Sequence, residues 1–268
     1  MSKKSCIIFG NCQGHAIKNY LEFSDFYETY DAKSYANWEL LSTYKMCIPI
    51  HDIKNADLVI YQPLSDVHDC YSTNKNNPAS FFNLLQDSCT TISFPRIHNN
   101  AIFPVFHKKK NHPNIYGRFT NPVSCVEELV YLYDNNLLDY DFTKRMEENY
   151  TISKKKEEEC DVKIIDYILQ NIHKQKMFLT HDHPASCVFN QITKQICDIL
   201  GVNYKFDHVE KMDENWIGLP DSVYNRGDNQ YPISRYAMRH FGFEYVTGEH
   251  PDADLLYKEV TVQKFLQN

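Results

Sequence analysis

The sequence predicts an α/β fold: a mostly parallel sheet with flanking helices, rich in helix. Three observations carry that prediction. Short β-type apolar runs alternate with stretches of helical periodicity. Gly10 and Pro95 stop two of those runs, as turn residues should. The chain of 268 residues, 43% apolar and 24% charged, has enough apolar surface to offset its entropy in one elaborated domain.

Taken in order, the first strand is Cys6 to Phe9, which breaks at Gly10 and enters a helix near Gln13. Ala16, Ile17, Tyr20 and Leu21 recur there at helical spacing. Leu58 to Tyr61 forms the second strand, after the turn-prone Lys54-Asn55. Asp66 to Pro78 is a surface loop, and Pro78 opens a helix carrying Phe81, Phe82, Leu84 and Leu85. The third strand spans Thr90 to Phe94 and ends at Pro95. Ala101 to Pro122 is irregular. Helices follow around Val126, Leu129, Val130 and Tyr133 and over Asp161 to Ile172. Between them, Lys154 to Glu159 reads as a solvated helix face, with Lys154 beside Glu158 and Lys155 beside Glu159. Met177 to Thr180 is the fourth strand, leading through His181-Asp182-His183-Pro184 into a helix that Gly201 terminates. Beyond Tyr204 only Tyr231 to Phe241 reads as helical. Residues 1–204 are therefore expected to form the α/β domain, with 205–268 as its cap or flank.

Composition narrows the function. With 28 basic and 35 acidic side chains the net charge is −7, a poor match to nucleic acid, whose phosphates are neutralised by Lys and Arg. No apolar run approaches the ~20 residues that cross a bilayer, so no membrane insertion is expected. Cys6 to Phe9 is too short for a signal-peptide core, and the expected location is cytoplasmic. The nine cysteines contain no C-x-x-C pair, so zinc knuckles and thioredoxin-type redox motifs are not indicated and reduced thiols are expected.

Ligands of open parallel sheets bind at the carboxyl ends of strands. Three polar clusters fall there: Gly10-Asn11-Cys12-Gln13-Gly14-His15, Gln62 to Asp66, and His181-Asp182-His183. The first matches neither a dinucleotide nor a P-loop glycine pattern. It does place Cys12 at a strand-to-helix turn, where helix amides favour the thiolate. Those amides, with the carboxamides of Asn11 and Gln13, are candidates to hold an oxyanion; the alternative is a buried structural cysteine. In the third cluster, His181 and His183 on a strand point the same way and fit a shared metal. Alternatively, His183 is a general base oriented by Asp182, or Asp182 simply caps the next helix. No metal is assigned. Lys108-Lys109-Lys110 is a candidate contact for the phosphates of a nucleotide-like cofactor.

Ile8-Phe9-Gly10-Asn11-Cys12-Gln13 resembles the G-N-C-Q opening of the WcbI-like polysaccharide biosynthesis family. The resemblance continues in order. Asn55 to Pro63 is similar to the family's "A-D-hydrophobic-Q" segment, and Ser93-Phe94-Pro95 followed by Phe103-Pro104 to its strand-proline stretch. Cys160-Asp161-Val162 and Phe178-Leu179-Thr180 with His183-Pro184-Ala185 complete it, over residues 5–202. The departure is at Ala185, where the family commonly has a hydroxyl. The resemblance implies an enzyme that transfers acetyl from acetyl-CoA to a sugar hydroxyl in surface-polysaccharide or capsule biosynthesis. By position, Asn11, Cys12, Gln13, Gln62 and His183 would line the site, with Asp182 orienting the base. Gly10, His15 and, from their charge, Lys108 to Lys110 are added as candidates for the coenzyme A site, although the basic loop at 107–112 and the aromatic-rich C-terminus also depart from the family. The implied partners are a small acyl donor and a sugar or glycan acceptor.

Other functions stay open on sequence alone. SGNH/flavodoxin-like layering admits a GDSL-type carbohydrate esterase, although Asn-Cys stands here in place of Asp-Ser. A metal-dependent hydrolase on His181 and His183 is another reading. A non-catalytic coenzyme A- or carbohydrate-binding protein is the last.

Overall fold

The structure, a computed structural model, describes residues 2–41, 47–104, 119–215, 231–245 and 251–266. Its strands are β1 (Lys4–Gly10), β2 (Tyr30–Ala36), β3 (Leu58–Tyr61) and β4 (Thr90–Ser93). Its helices begin with α1 (Cys12–Tyr20), α2 (Phe26–Thr29), α3 (Asn37–Leu41) and α4 (Ile50–Lys54). They continue with α5 (Val126–Asp134), α6 (Phe142–Glu157), α7 (Ile165–Asn171) and α8 (Ser186–Leu200). The last are α9 (Phe206–Asn215), α10 (Arg235–Phe241) and α11 (Pro251–Leu266).

Contacts divide the chain into two compact units, each discontinuous in sequence. The first comprises residues 1–96, 153–166 and 186–225; the second comprises 97–152, 167–185 and 226–268. Both draw on residues before and after position 204.

The first unit holds a four-stranded sheet, order β2-β1-β3-β4, with every pairing parallel. This is the α/β class the alternation predicted. Alternating side chains feed two layers. Ile7, Phe9 and Val59 face a core with Leu40, Ile53, Phe81 and Phe82. On the opposite face Ile8 lies against α1, its Cγ2 within 3.5 Å of where a Gly14 Cβ would sit. Helix α1 buries Ala16, Ile17 and Tyr20, and α8, which packs beside it, buries Val188, Phe189, Ile192 and Ile196. Gly201, at φ +66°, ends α8 in the left-handed conformation that glycine adopts without strain.

Four expectations are corrected. Met177 to Thr180 is not a strand of the sheet; it belongs to the second unit and pairs locally, through a Phe178–Pro184 bridge. Ala185 N–H donates to Met177 O and Leu179 N–H to His183 O, so the backbone of the turn satisfies itself. The sheet's remaining strand is β2, whose Tyr-Asp-Ala-Lys-Ser-Tyr-Ala carries few large aliphatic residues because it lies at an edge. The helix placed after Pro78 is a single 3₁₀ turn, Phe81–Leu84, with the Ser80 hydroxyl accepting from Phe82 N–H. Finally, the Lys154 to Glu159 run is not wholly solvated. Glu157 is buried, and its Oε1 accepts from Ile164 N–H and Ile165 N–H at the start of α7. Lys154 pairs with Glu157 and Asp166 rather than with Glu158.

The second unit is built around tyrosines. Arg235 lies over the Tyr133 ring and reaches Asp254 at 2.7 Å, and Tyr133 donates to the same aspartate. Tyr140 and Tyr257 are buried with their hydroxyls on Thr261 and on the Pro232 carbonyl. Their rings supply apolar area while each O–H finds a partner. Beyond Tyr204 the helix expected within Tyr231 to Phe241 is α10, whereas α9 in the first unit and α11 in the second were not expected. No described helix is long and apolar enough to cross a membrane.

Candidate functional site

In a doubly wound sheet the crevice opens where successive strands are laid to opposite sides of the first. Here that point lies between β1 and β3, because β2 and β3 flank β1. The residues that follow β1 and β3 meet there. Asn11 caps α1, its Oδ1 accepting from Gln13 N–H at 2.9 Å. Gln62, the first residue after β3, closes the crevice with both ends of one carboxamide. Its Oε1 accepts from Asn11 N–H at 2.9 Å, and its Nε2 donates to Gln13 Oε1 at 2.9 Å. Gln13 and Gln62 are both buried. A buried carboxamide is tolerated only when bonded, so this pair rigidifies the turn.

Gly10 permits the closure. A Cβ there would lie 3.2 Å from the Phe94 ring and 3.3 Å from Gln62 Cγ and Oε1. A side chain at position 10 would make the Phe94 ring or Gln62 give by a few tenths of an ångström. Cys12 is the first residue of α1 and is half-buried. The turn is internally bonded: Gly14 N–H donates to Asn11 O, Gln13 N–H to Asn11 Oδ1, and Asn11 N–H to Gln62. An oxyanion hole built from these amides would require them to exchange partners. His15, one helical turn on, shares a 2.7 Å hydrogen bond with Ser34 at Nδ1. Burial holds its imidazole below the ordinary histidine range, with Glu39 opposing the shift and Lys18 adding to it.

Three other thiols are buried away from this turn. Cys6, Cys160 and Cys197 are buried, and desolvation raises all three, Cys160 to about 12 and Cys197 to about 11. Such groups remain thiols at neutral pH and are chemically quiet.

The histidine cluster lies in the second unit, on the turn that replaces the expected strand. His183 N–H donates to Thr180 O, and the His183 carbonyl accepts from Leu179 N–H at 2.8 Å. Asp182 does not cap α8, which starts at Ser186. Its two oxygens instead face two imidazoles: Oδ2 is 3.0 Å from His181 Nε2, and Oδ1 is 3.4 Å from His98 Nε2. Lys108, Lys109 and Lys110 lie outside the described residues.

Comparison with known proteins now decides the family. The family described as "Polysaccharide biosynthesis enzyme WcbI" matches residues 5–205, about three quarters of the chain. The chain belongs to the WcbI family. A solved structure of WcbI, a polysaccharide biosynthesis enzyme, is similar at 15% identity with a TM-score of 0.67. The likeness covers 98% of this chain and 91% of that one. That protein is described as native, without a disulfide bond between coenzyme A and one of its cysteines. No curated protein matches the sequence.

As a WcbI-family polysaccharide biosynthesis enzyme, the chain carries Gly10 to His15, Gln62 and His181 to His183 inside the matched stretch. The tyrosine-based part of the second unit after residue 230 lies beyond that stretch, although the solved WcbI fold spans it. Two contacts of this chain were not anticipated from the sequence, although Ser93 and Asp161 both lie in stretches marked there. Ser93 N–H and Oγ both donate to Asp161 Oδ2 at 2.7 Å, and Asp161 N–H donates back to Ser93 Oγ, clamping the end of β4. His98 joins Asp182 from the segment just after Pro95. The signal for both was available, since each follows or closes a strand end, the criterion that found the other clusters.

Proposed function

We propose that this chain is an acetyl-CoA-dependent O-acetyltransferase that acylates a sugar hydroxyl in surface-polysaccharide biosynthesis. The observation that carries the reading is the Cys12 turn: a half-buried thiol at the first position of a helix, held at the sheet's switch point by the Asn11–Gln62–Gln13 hydrogen bonds. The description of the solved WcbI relates coenzyme A to a cysteine of that protein, which supports assigning the donor to this thiol-bearing turn.

Asn11, Gln13 and Gln62 position the turn, Gly10 gives it clearance, and His15 borders it. Lys108 to Lys110 are assigned to the donor's phosphates. His183 is assigned as the general base on its place in the family's histidine-proline pattern. In the reaction the acceptor oxygen attacks the thioester carbonyl carbon. A C–O bond forms, the C–S bond breaks with its electron pair leaving on sulfur, and the hydroxyl proton ends on the coenzyme A thiolate. Cys12 shapes the space around the carbonyl oxygen rather than carrying the acetyl group, because an acetyl-cysteine would have to be kept from water.

The test is turnover of acetyl-CoA with a panel of sugar acceptors. His183→Ala loses about 10²- to 10⁴-fold, the usual contribution of a positioned base, while Cys12→Ala retains measurable turnover. The reverse order, or acetylated Cys12 in intact-protein mass spectrometry, contradicts direct transfer. Acetate release from an acetylated sugar without coenzyme A contradicts the transferase reading itself.

A further inference from the structure

We propose that His98, His181 and Asp182 form a binding site for a divalent transition-metal ion of the zinc class. The inference shares Asp182 with the candidate acetyl-transfer residues, and its test reads metal binding rather than turnover.

The three side chains each offer one ligand atom, and those atoms all lie within 4.8 Å of one another. Donors around a tetrahedral ion at about 2.0–2.1 Å are separated by about 3.3–3.5 Å. The measured separations are 3.0 Å from His181 Nε2 to Asp182 Oδ2 and 3.4 Å from His98 Nε2 to Asp182 Oδ1, one slightly below that spacing and one within it. Both imidazoles present the same nitrogen, Nε2, toward one carboxylate, one to each oxygen. The rings are nearly perpendicular, at 85° with centroids 5.5 Å apart, so their nitrogens converge without the rings stacking on each other.

The scaffold is rigid on both sides. His181 and Asp182 sit on the turn closed by the Phe178–Pro184 bridge, and the far face of His181 stacks on Tyr231. His98 is tied to that turn by its neighbour, because Asn99 N–H donates to His181 O at 2.8 Å. The Asn99 side chain is buried and accepts from Ala101 N–H and Ile102 N–H, which fixes the loop. Preorganisation of this kind lowers the ordering cost of binding.

The donor set selects the ion. Two imidazoles and one carboxylate suit zinc and its neighbours, whereas magnesium and calcium take oxygen ligands. Their side chains are 19%, 11% and 31% exposed for His98, His181 and Asp182, so the ligand atoms are sheltered while the carboxylate side stays open. Three protein ligands with an open fourth position is the pattern of reactive rather than closed structural zinc sites. The site differs from the i, i+2 pair that the sequence suggested. His183 is not in the group, and His98, more than eighty residues away in sequence, takes its place.

The experiment is titration of chelator-treated full-length protein with Co²⁺ and then Zn²⁺. Co²⁺ is expected to bind one equivalent and give visible d–d bands with no thiolate-to-cobalt charge transfer in the near ultraviolet. The second observation matters because the chain has nine free cysteines. Zn²⁺ should displace the Co²⁺ and raise the melting temperature. His98→Gln and Asp182→Asn, checked for native circular dichroism, should each weaken binding by about tenfold or more, and Cys12→Ala should not. Failure of the wild-type protein to give the nitrogen/oxygen Co²⁺ spectrum overturns the proposal. So does binding that survives both variants, or a spectrum dominated by thiolate charge transfer.

Discussion

Gln62 holds Asn11 and Gln13 with the two ends of one carboxamide, and its loss removes the bond to a part-buried N–H and to a buried oxygen. Gln62→Leu is therefore expected to cost about 1–3 kcal/mol for each group left unbonded. Misplacing the turn by an ångström lowers kcat by about 10²-fold. Urea unfolding and steady-state kinetics check the two effects separately. A variant with wild-type kcat would show that the turn does not depend on this bridge. Asp52 offers a pH-dependent test. Its burial alone would raise the carboxyl, but hydrogen bonds from Tyr35 and Lys33, with His51 nearby, outweigh it and hold it below 3.8. A depressed folded value stabilises above the unfolded one and is lost as pH falls through the folded one. Asp52→Asn should thus flatten the loss of stability below about pH 4 while lowering stability at pH 7. That Gly10 to His15 and Gln62 would lie at strand ends was legible from the apolar runs before them. That Gln62 would bond both Asn11 and Gln13 was not, since it depends on the lateral placement of β1 beside β3.

At the scale of elements, the strands and helices with large aliphatic repeats were legible: β1, α1, β3, β4, α5 and α8 all fall where periodicity put them. The errors share a cause. Edge strand β2 needs only its Ala32 and Ala36 buried, so it shows no apolar run. Met177 to Leu179 is as apolar as a strand, but tertiary packing buries it as one leg of a turn. The Glu157 misreading is of the same kind. A run of charged residues is usually solvated, yet this one contributes the cap of α7. Glu157→Gln keeps the shape and one acceptor oxygen but loses the charge, and should destabilise by about 1–3 kcal/mol in urea unfolding. Lys154 would then lose a partner but keep Asp166. No measurable change in unfolding free energy would show that the cap is dispensable.

For the whole molecule, the chain is a WcbI-family polysaccharide biosynthesis enzyme organised as two interleaved compact units. Periodicity could not show that interleaving, because unit membership is set by contacts between segments far apart in sequence. The aromatic richness was legible only as core in general. The structure gives it a particular form, a tyrosine cluster around Arg235 in the second unit. The central functional claim is that the acetyl donor occupies the turn bearing Cys12. Cysteine footprinting with iodoacetamide and peptide mass spectrometry tests this directly, since exposed Cys47, Cys70 and Cys125 serve as internal controls. With acetyl-CoA at about 100 times its dissociation constant, labelling of Cys12 should fall by about tenfold or more while the three controls react as before. Cys12 labelled at an unchanged rate under those conditions would contradict the account.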